Sequence, residues 1–435
     1  MTSDTKKLKY SFRFVFVLVC LATTKEVCAQ GIGNSPYSIL GVGDLQGTAF
    51  SMNEGTGGAG VSSNFFNGKQ LNGLNPALLV RTRFTSFEFG GTVQLKDVTA
   101  AGAAQQDLAA NLSHIALSFP ITPRWSSGVS IKPYSYVDYN TNSKSMVAGT
   151  NYPTIYSFSG KGAINRVAWT NGFAIGKYVN IGMDIFYLFG NINKSSEVSV
   201  ITGDDNDNTV GINEKLNVKN VSGRGGVAVR LPLKKDKVLL NVGGTYTYGN
   251  FLFAKKSTVY ELSQNSFPLP NYDPDTLQKD VKGYIDMPYQ FRVGTSLELP
   301  FKLLVSADYE YTDWNSYRSF GNPESNQVAS NGRYYFGAEW IPSIRSQRYL
   351  DLVSYRAGFN FGPSQYAPSG TRINETNVTL GLGLPIGRGG GGMLSLAFTG
   401  GQRGVVSPNS IRERYLRMTV AWAFVDNWFV KPRLD

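Results

Sequence analysis

Along most of this chain apolar and polar residues alternate, and the apolar members of each run are almost never interrupted by a charge. Near the end, Leu416, Met418, Val420, Trp422 and Phe424 alternate with Tyr415, Arg417, Thr419, Ala421 and Ala423. Val378, Leu380, Leu382 and Leu384 alternate with Asn377, Thr379, Gly381 and Gly383. Val353, Tyr355, Ala357, Phe359 and Phe361 alternate with Ser354, Arg356, Gly358 and Asn360; Tyr334, Phe336, Ala338 and Trp340 alternate with Arg333, Tyr335, Gly337 and Glu339. Side chains on a strand have period two, so each segment carries one oily and one polar wall. A soluble sandwich would bury the oily walls against each other, whereas a transmembrane barrel would turn them to lipid. Alternation alone leaves both open.

The connections favour the barrel. Short ones share an apolar residue followed by proline, at Phe119–Pro123, Leu231–Lys235, Leu299–Leu303, Ile341–Arg345 and Leu384–Arg388, and a sixth uses glycine at Ile175–Asn180. Proline cannot donate to a ladder, so each marks a strand end. Between them lie longer polar stretches: 97–110, 140–153, 203–213, 263–279, 320–330, 362–372 and 401–411. Seven long loops and six tight turns join fourteen antiparallel strands over residues 81–435. Long loops on one side and short turns on the other are the mark of a β-barrel in a membrane with two different sides. Aromatic residues near strand ends, at Trp340, Trp422, Trp428 and Phe429, suit an interfacial girdle.

Residues 1–29 stand apart. Lys6, Lys7, Lys9 and Arg13 precede the apolar run Phe14–Ala22, and Val27-Cys28-Ala29 is a small-residue cleavage site. That is a secretory signal peptide, expected to be cut after Ala29, and its apolar run is too short for the roughly 20 residues a membrane helix needs. Val19 and Val27 precede Cys20 and Cys28, where a lipoprotein signal would have a small residue. Both of the chain's cysteines lie in this leader, so the mature protein would hold no disulfide and no thiol nucleophile. The net charge of +11 is spread among apolar residues with no basic stripe, which sets nucleic acid aside as a partner.

Between leader and strands, residues 30–80 are neither strand nor solvated tail. Eleven glycines fall between Gly31 and Gly73, and Val61, Phe65, Phe66, Leu71, Leu74, Leu78 and Leu79 are spaced among them. Glycine allows close approach to a wall, and a mobile linker would not carry those apolar side chains. The segment reads as a plug, or hatch, folded inside the barrel. Its GAGV at Gly58–Val61 and its NPA at Asn75–Ala77, ahead of a long β region, resemble the hatch of the FadL family of outer-membrane long-chain fatty acid transporters. Later runs, DYEYTDW at Asp308–Trp314, RYYFGAEW at Arg333–Trp340, SYRAGFNFG at Ser354–Gly362 and TLGLGLP at Thr379–Pro385, are similar in order and spacing to late strands of that family.

The resemblance implies a fourteen-stranded barrel in the bacterial outer membrane, with the lipid bilayer and a hydrophobic small molecule as partners. It implies passive uptake of compounds such as long-chain fatty acids, gating by the hatch, and release sideways into the membrane. Phe65, Phe66, Leu71 and Leu74 are the expected ligand or gating contacts, while Gly58, Gly60, Asn75, Pro76 and Ala77 form the hatch motif that fixes it to the wall. Pro133 removes a donor from the third strand, which calls for a bulge or kink. In the FadL family a kink in that strand makes the lateral opening, and Pro133 falls near the corresponding place. Other members of that broad group serve as cargo-carrying parts of secretion systems such as type IX. A structural role with outer-membrane or secretion protein partners is therefore the second reading, and an open porin is disfavoured by the plug.

No catalytic constellation is visible, so the chain reads as no enzyme and needs no cofactor or metal. The single histidine, His114, lies on a strand without a sequence-assigned partner, and the acidic run 204–208 lacks the glycine and glutamate of a calcium loop. Among the inward-facing charges, Arg224, Arg230, Arg292, Arg333, Arg356 and Arg417 lie with Glu298, Asp308, Glu310 and Glu339. Such charges at membrane depth pair in protein or water. Arg292, Arg356 and Arg417 are the candidates to meet a substrate carboxylate.

Overall fold

The computed structural model describes residues 31, 33–64, 69–201, 208–234, 237–264, 267–268, 274–324, 327–387, 391–407 and 410–426. The expected leader and the aromatic pair Trp428 and Phe429 lie outside these residues.

Fourteen antiparallel strands form the wall. They begin with β1 (Thr85–Ala100), β2 (Ala103–Thr122), β3 (Trp125–Met146), β4 (Pro153–Ile175), β5 (Val179–Val200) and β6 (Asn208–Pro232). Two broken strands follow, β7 (Leu239–Thr247 and Asn250–Gln264) and β8 (Asp275–Met287 and Gln290–Leu299). The round ends with β9 (Leu303–Thr312), β10 (Asn331–Trp340), β11 (Ser354–Pro363), β12 (Asn374–Ile386), β13 (Gly392–Arg403) and β14 (Arg412–Asp426). Strand β14 closes on β1 from Thr85↔Asp426 to Thr99↔Arg412, so the sheet has no free lateral edge there.

Exposure follows the alternation but inverts the pattern of a soluble protein. On β12, Val378 and Leu380 are 55% and 62% exposed, while Asn377 and Thr379, which alternate with them, are 6% and 1% exposed. A sandwich cannot show oily residues outside and polar ones inside; a barrel whose outer face meets lipid must.

Strand length is uneven around the wall. β3 to β6 run for 22 to 25 residues, whereas β9, β10 and β11 run for 10. A crossing takes about 9–11 residues, so β3 to β6 continue far beyond the membrane. This corrects the loop boundaries expected from sequence. Residues 97–110 are almost wholly strand, turning at Ala101 and Gly102, and β3 and β4 occupy 140–146 and 153 onward. Strands standing in water on both faces lose the apolar alternation while their backbones go on pairing.

The hatch fills the lumen with little regular structure: 3₁₀ turns at Pro36–Ile39 and Pro76–Arg81, one helical turn α1 (Ser51–Glu54), and a two-residue strand, Asp44–Leu45. Above it, inward residues of β3 to β8, among them Val137, Ile164, Phe186, Leu188 and Leu252, form an apolar cluster with the hatch residue Val42.

Candidate functional site

Strands β2 and β3 pair only from Thr122↔Trp125 to Ile115↔Ile131. Above Ile131 no pairing between them follows among the described residues, although β3 stays paired with β4 up to Met146↔Pro153. The separation begins at Pro133. The β3–β4 register slips between Pro133↔Asn165 and Ser135↔Ile164, leaving Tyr134 as an extra residue. A one-residue bulge exchanges the two faces of a strand. Below it Lys132 points into the lumen; above it Val137 and Tyr139 do. Strand β2 carries a matching slip at Gly90/Gly91 of its partner β1, with Ser113 unpaired next to His114.

The hatch closes the resulting gap. Asp44 and Leu45 pair antiparallel with Tyr136 and Ser135, Gln46 N donates to Tyr134 O at 2.8 Å, and Ser35 N donates to Asp138 O at 2.8 Å. On the other bank, Asn34 N donates to Asp107 Oδ2 at 2.7 Å and its Nδ2 donates to Gln105 Oε1 at 3.0 Å, both on β2. Residues 33–46 thus satisfy backbone and side-chain groups that an open wall would leave bare.

Buried ion pairs fasten the hatch as well. Asp184 on β5 accepts from Arg166 Nη2 at 3.1 Å and Arg224 Nε at 2.8 Å. Arg224 in turn donates to the hatch carbonyls of Gly73 at 2.9 Å and Leu74 at 3.0 Å. Asp308 accepts from Arg292 Nη2 at 2.9 Å and also from the amides of Gly60 and Val61 at 2.9 and 3.0 Å. Arg356 joins Glu339 and donates to Gln70 Oε1 at 2.8 Å. Arg403 grips both oxygens of Asp44 at 2.9 Å and also bonds Glu413. His114 Nε2 donates to Glu88 Oε1 at 3.0 Å, and Glu88 also accepts from Ser51 and the Leu71 amide, so the one histidine serves the same fastening. Outside the membrane, burial pushes the Tyr366 phenol well above its usual range; it stays a donor, reaching Gly43 O at 3.1 Å.

Wall glycines make room for this fit. Inward Gly172, Gly182 and Gly226, on β4, β5 and β6, have no Cβ where the Asn75–Ala77 turn rests, and a Cβ at Gly358 would strike Thr56 and Gly57. Asn75 caps the turn through its Oδ1, which accepts from Ala77 N at 3.0 Å, and its Nδ2 donates to Val61 O and to Val227 O on β6. Gly58 and Gly60 hold φ of +83° and +120°, conformations that glycine alone takes freely.

Between hatch and wall, below the apolar cluster, lies a cavity of about 230 Å³. Leu45, Leu74, Phe186, Leu252 and Trp314 line it together with Arg166, Arg224, Arg292, Glu310 and Arg333, and the Arg166 guanidinium lies over the Phe186 ring at 4.2 Å. It reaches the bulged Tyr134 and the hatch residues Leu45 to Gly47, and so abuts the closed gap.

The residues singled out from sequence separate into groups. Leu74 lines the cavity, whereas Leu71 packs with Phe50, Leu79 and Ala116 against the wall. Phe65 and Phe66 lie outside the described residues, as do 204–207 of the acidic run. Arg292 faces the cavity but is already paired with Asp308 and Glu310. Arg356 is buried in its pair with Glu339 and does not reach the cavity, and Arg417 lies by a separate polar cavity, donating to Gln94 Oε1 at 2.8 Å. Arg166, Asp184 and Arg403 were not singled out from sequence. Arg166 stands two places before the apolar pair Ala168 and Trp169 with no acid near in sequence; Asp184 is the only charge in its strand's lower half; Arg403 follows glycines that read as loop.

Solved structures share the fold. The toluene transporter TodX of P. putida superposes with a TM-score of 0.57 at 13% identity, covering 89% of this chain and 100% of that one. TbuX, the toluene transporter of Ralstonia pickettii, gives 0.54 at 14% identity over 87% of this chain and 98% of its own. A FadL homologue of Pseudomonas aeruginosa gives 0.55 at 12% identity, over 88% and 99%. Among curated proteins none matches the sequence. A family model described as BamG matches residues 11–435, spanning the hatch and all the wall strands, and the chain therefore belongs to the BamG family.

Proposed function

We propose that this barrel sits in the bacterial outer membrane and takes up small hydrophobic compounds passively, passing them from the cavity to the lipid through the gap between β2 and β3. The observation that carries the reading is the shared boundary of the two: Tyr134, Leu45 and Gln46 line the cavity and also border or fill the gap. Displacement of residues 33–46 would join them. Apolar burial at about 25 cal/mol per Å² supplies the driving force for capture, so no energy source is required. Ligand sites for drug-sized molecules run to roughly 300–1,000 Å³, and the smaller volume here favours a compact hydrophobe. The names of the structural neighbours TodX and TbuX, toluene transporters, point to the same size class. A fatty acid, the ligand expected from the FadL resemblance, would have to extend its tail into the gap. Arg166, Arg224, Arg292 and Arg333 are the cavity's basic groups for a carboxylate, although each already has an acidic partner.

Mass spectrometry of small hydrophobic molecules that copurify with the folded barrel tests this, with Leu74→Trp alongside to fill the cavity. A hydrophobe present in the parent and depleted in the variant supports transport through this site. An empty parent barrel with no uptake of toluene or oleate into reconstituted vesicles overturns it.

The tall sheet favours a second reading, a structural part of an outer-membrane or secretion assembly. The upper halves of β3 to β6 present a broad surface beyond the membrane, suited to a protein partner. Partners recovered with the intact barrel and lost on shortening 140–153, with no ligand bound, would favour it.

A further inference from the structure

A second groove lies on the outside of the barrel, across β12, β13, β14 and β1, with a volume of about 760 Å³. Register fixes its layout. One row across the wall runs Val378, Gly400, Leu416 and Leu95; the next row toward the long loops runs Thr376, Gln402, Arg414 and Asp97. The apolar band therefore ends between these rows. Gly400 leaves a notch in the apolar row, and a Cβ built there meets nothing within 4 Å. Over the polar row hangs the loop before β12, carrying Arg372, which is exposed and makes no hydrogen bond or ion pair among the described residues. Arg414 is exposed too and spends one nitrogen, Nε, on Gln402 Oε1 at 3.0 Å. Farther along the same outward face of β14, Arg412 has a buried Nε with no partner.

We propose that this groove binds an anionic lipid of the outer leaflet, with its phosphate between Arg372 and Arg414 and an acyl chain lying in the Gly400 notch against Leu416 and Leu95. Arginine presents a planar fork that matches phosphate oxygens, and the two guanidinium groups hold several donors free for it. Basic pockets at the level of the headgroups select anionic lipids in this way. The one opposing charge, Asp97, lies beside Arg414 and accepts from Gln106 Nε2 at 2.9 Å, which lessens its pull on the arginine. Chain and headgroup are recognised at adjacent rows of one surface, so a free anion would gain only half the contacts. The site is separate from the lumen and would anchor or orient the barrel whatever passes through it.

Native mass spectrometry of the full-length barrel in detergent tests the proposal, with dioctanoyl phosphatidic acid and dioctanoyl phosphatidylcholine as probes. The parent should retain the phosphatidic acid at least about tenfold better, the scale expected for one lost charge-assisted contact pair. Arg372→Gln with Arg414→Gln should remove that preference, and Gly400→Phe, which fills the notch from outside, should weaken retention of both lipids. Heat-modifiable migration checks that each variant is folded. Equal retention of the two lipids by the parent, unchanged retention in the folded variants, or full displacement by millimolar inorganic phosphate would overturn it.

Discussion

Asp184 is the point at which the hatch is most dependent on a single side chain. It is shared by Arg166 and Arg224, and Arg224 holds the carbonyls of Gly73 and Leu74. Removing one partner of a buried pair costs more than the pair contributes, because the remaining charge stays buried without compensation. Asp184→Asn should therefore destabilise the barrel by about 3–5 kcal/mol, read as a lower denaturant midpoint in guanidinium unfolding. A change below the error of that measurement would show that water, not Asp184, satisfies the arginines. The inward placement of Arg224, Arg292 and Arg356 was legible from period two alone. Their acidic partners across neighbouring strands were less so, because register between strands is a property of turns and bulges that alternation does not encode. Asp184 and Arg224 are 40 residues apart in the chain, yet lie opposite each other on β5 and β6.

At the scale of elements, β3 shows what a break in alternation means. Proline at 133 signalled a bulge, and the register slip falls there. The sequence also held the consequence, since Val137 and Tyr139 carry the apolar phase on the face that Lys132 occupies before the slip. The slip in β2 beside His114 had no such flag, because no proline or paired glycine on that strand marks it. The upper strands were hidden for a different reason: lines of polar residues on both faces read as loop, although 3.3 Å per residue of paired backbone continues through them. Pro133→Val restores a backbone donor at the start of the gap without changing a lumenal side chain. We expect folding to survive and uptake of a hydrophobic probe into vesicles to fall severalfold as β2 and β3 draw together. Undiminished uptake would remove the gap from the route.

For the molecule as a whole, the question is which part of the hatch moves. Two regions are held differently. Residues 58–64 and 69–80 are clamped by Arg224, Arg292 and glycine seats around the lumen, whereas residues 33–46, held by Arg403 through Asp44, lie between β2 and β3 as a third bank. On the proposed route passage needs local displacement, and we expect the second region to leave while the first stays. Two disulfide locks distinguish them. Ser62 Oγ and Ser296 Oγ are 3.0 Å apart, close enough for cysteines at both places to bond with little adjustment. Leu45 and Ser135 are directly paired between the hatch and the β3 bank of the gap, the arrangement in which Cβ atoms lie about 4.5–5.5 Å apart. The chain's own cysteines, Cys20 and Cys28, both fall in the expected leader, so neither competes once it is removed. Oxidised Leu45→Cys with Ser135→Cys should stop probe uptake into vesicles and recover it on reduction. Oxidised Ser62→Cys with Ser296→Cys should leave uptake within about twofold of the reduced protein, since a lock on a part that stays still adds no barrier. Loss of uptake under both locks would mean that the hatch moves as one body, and retention under both would mean that neither the hatch strand nor the gap lies on the path.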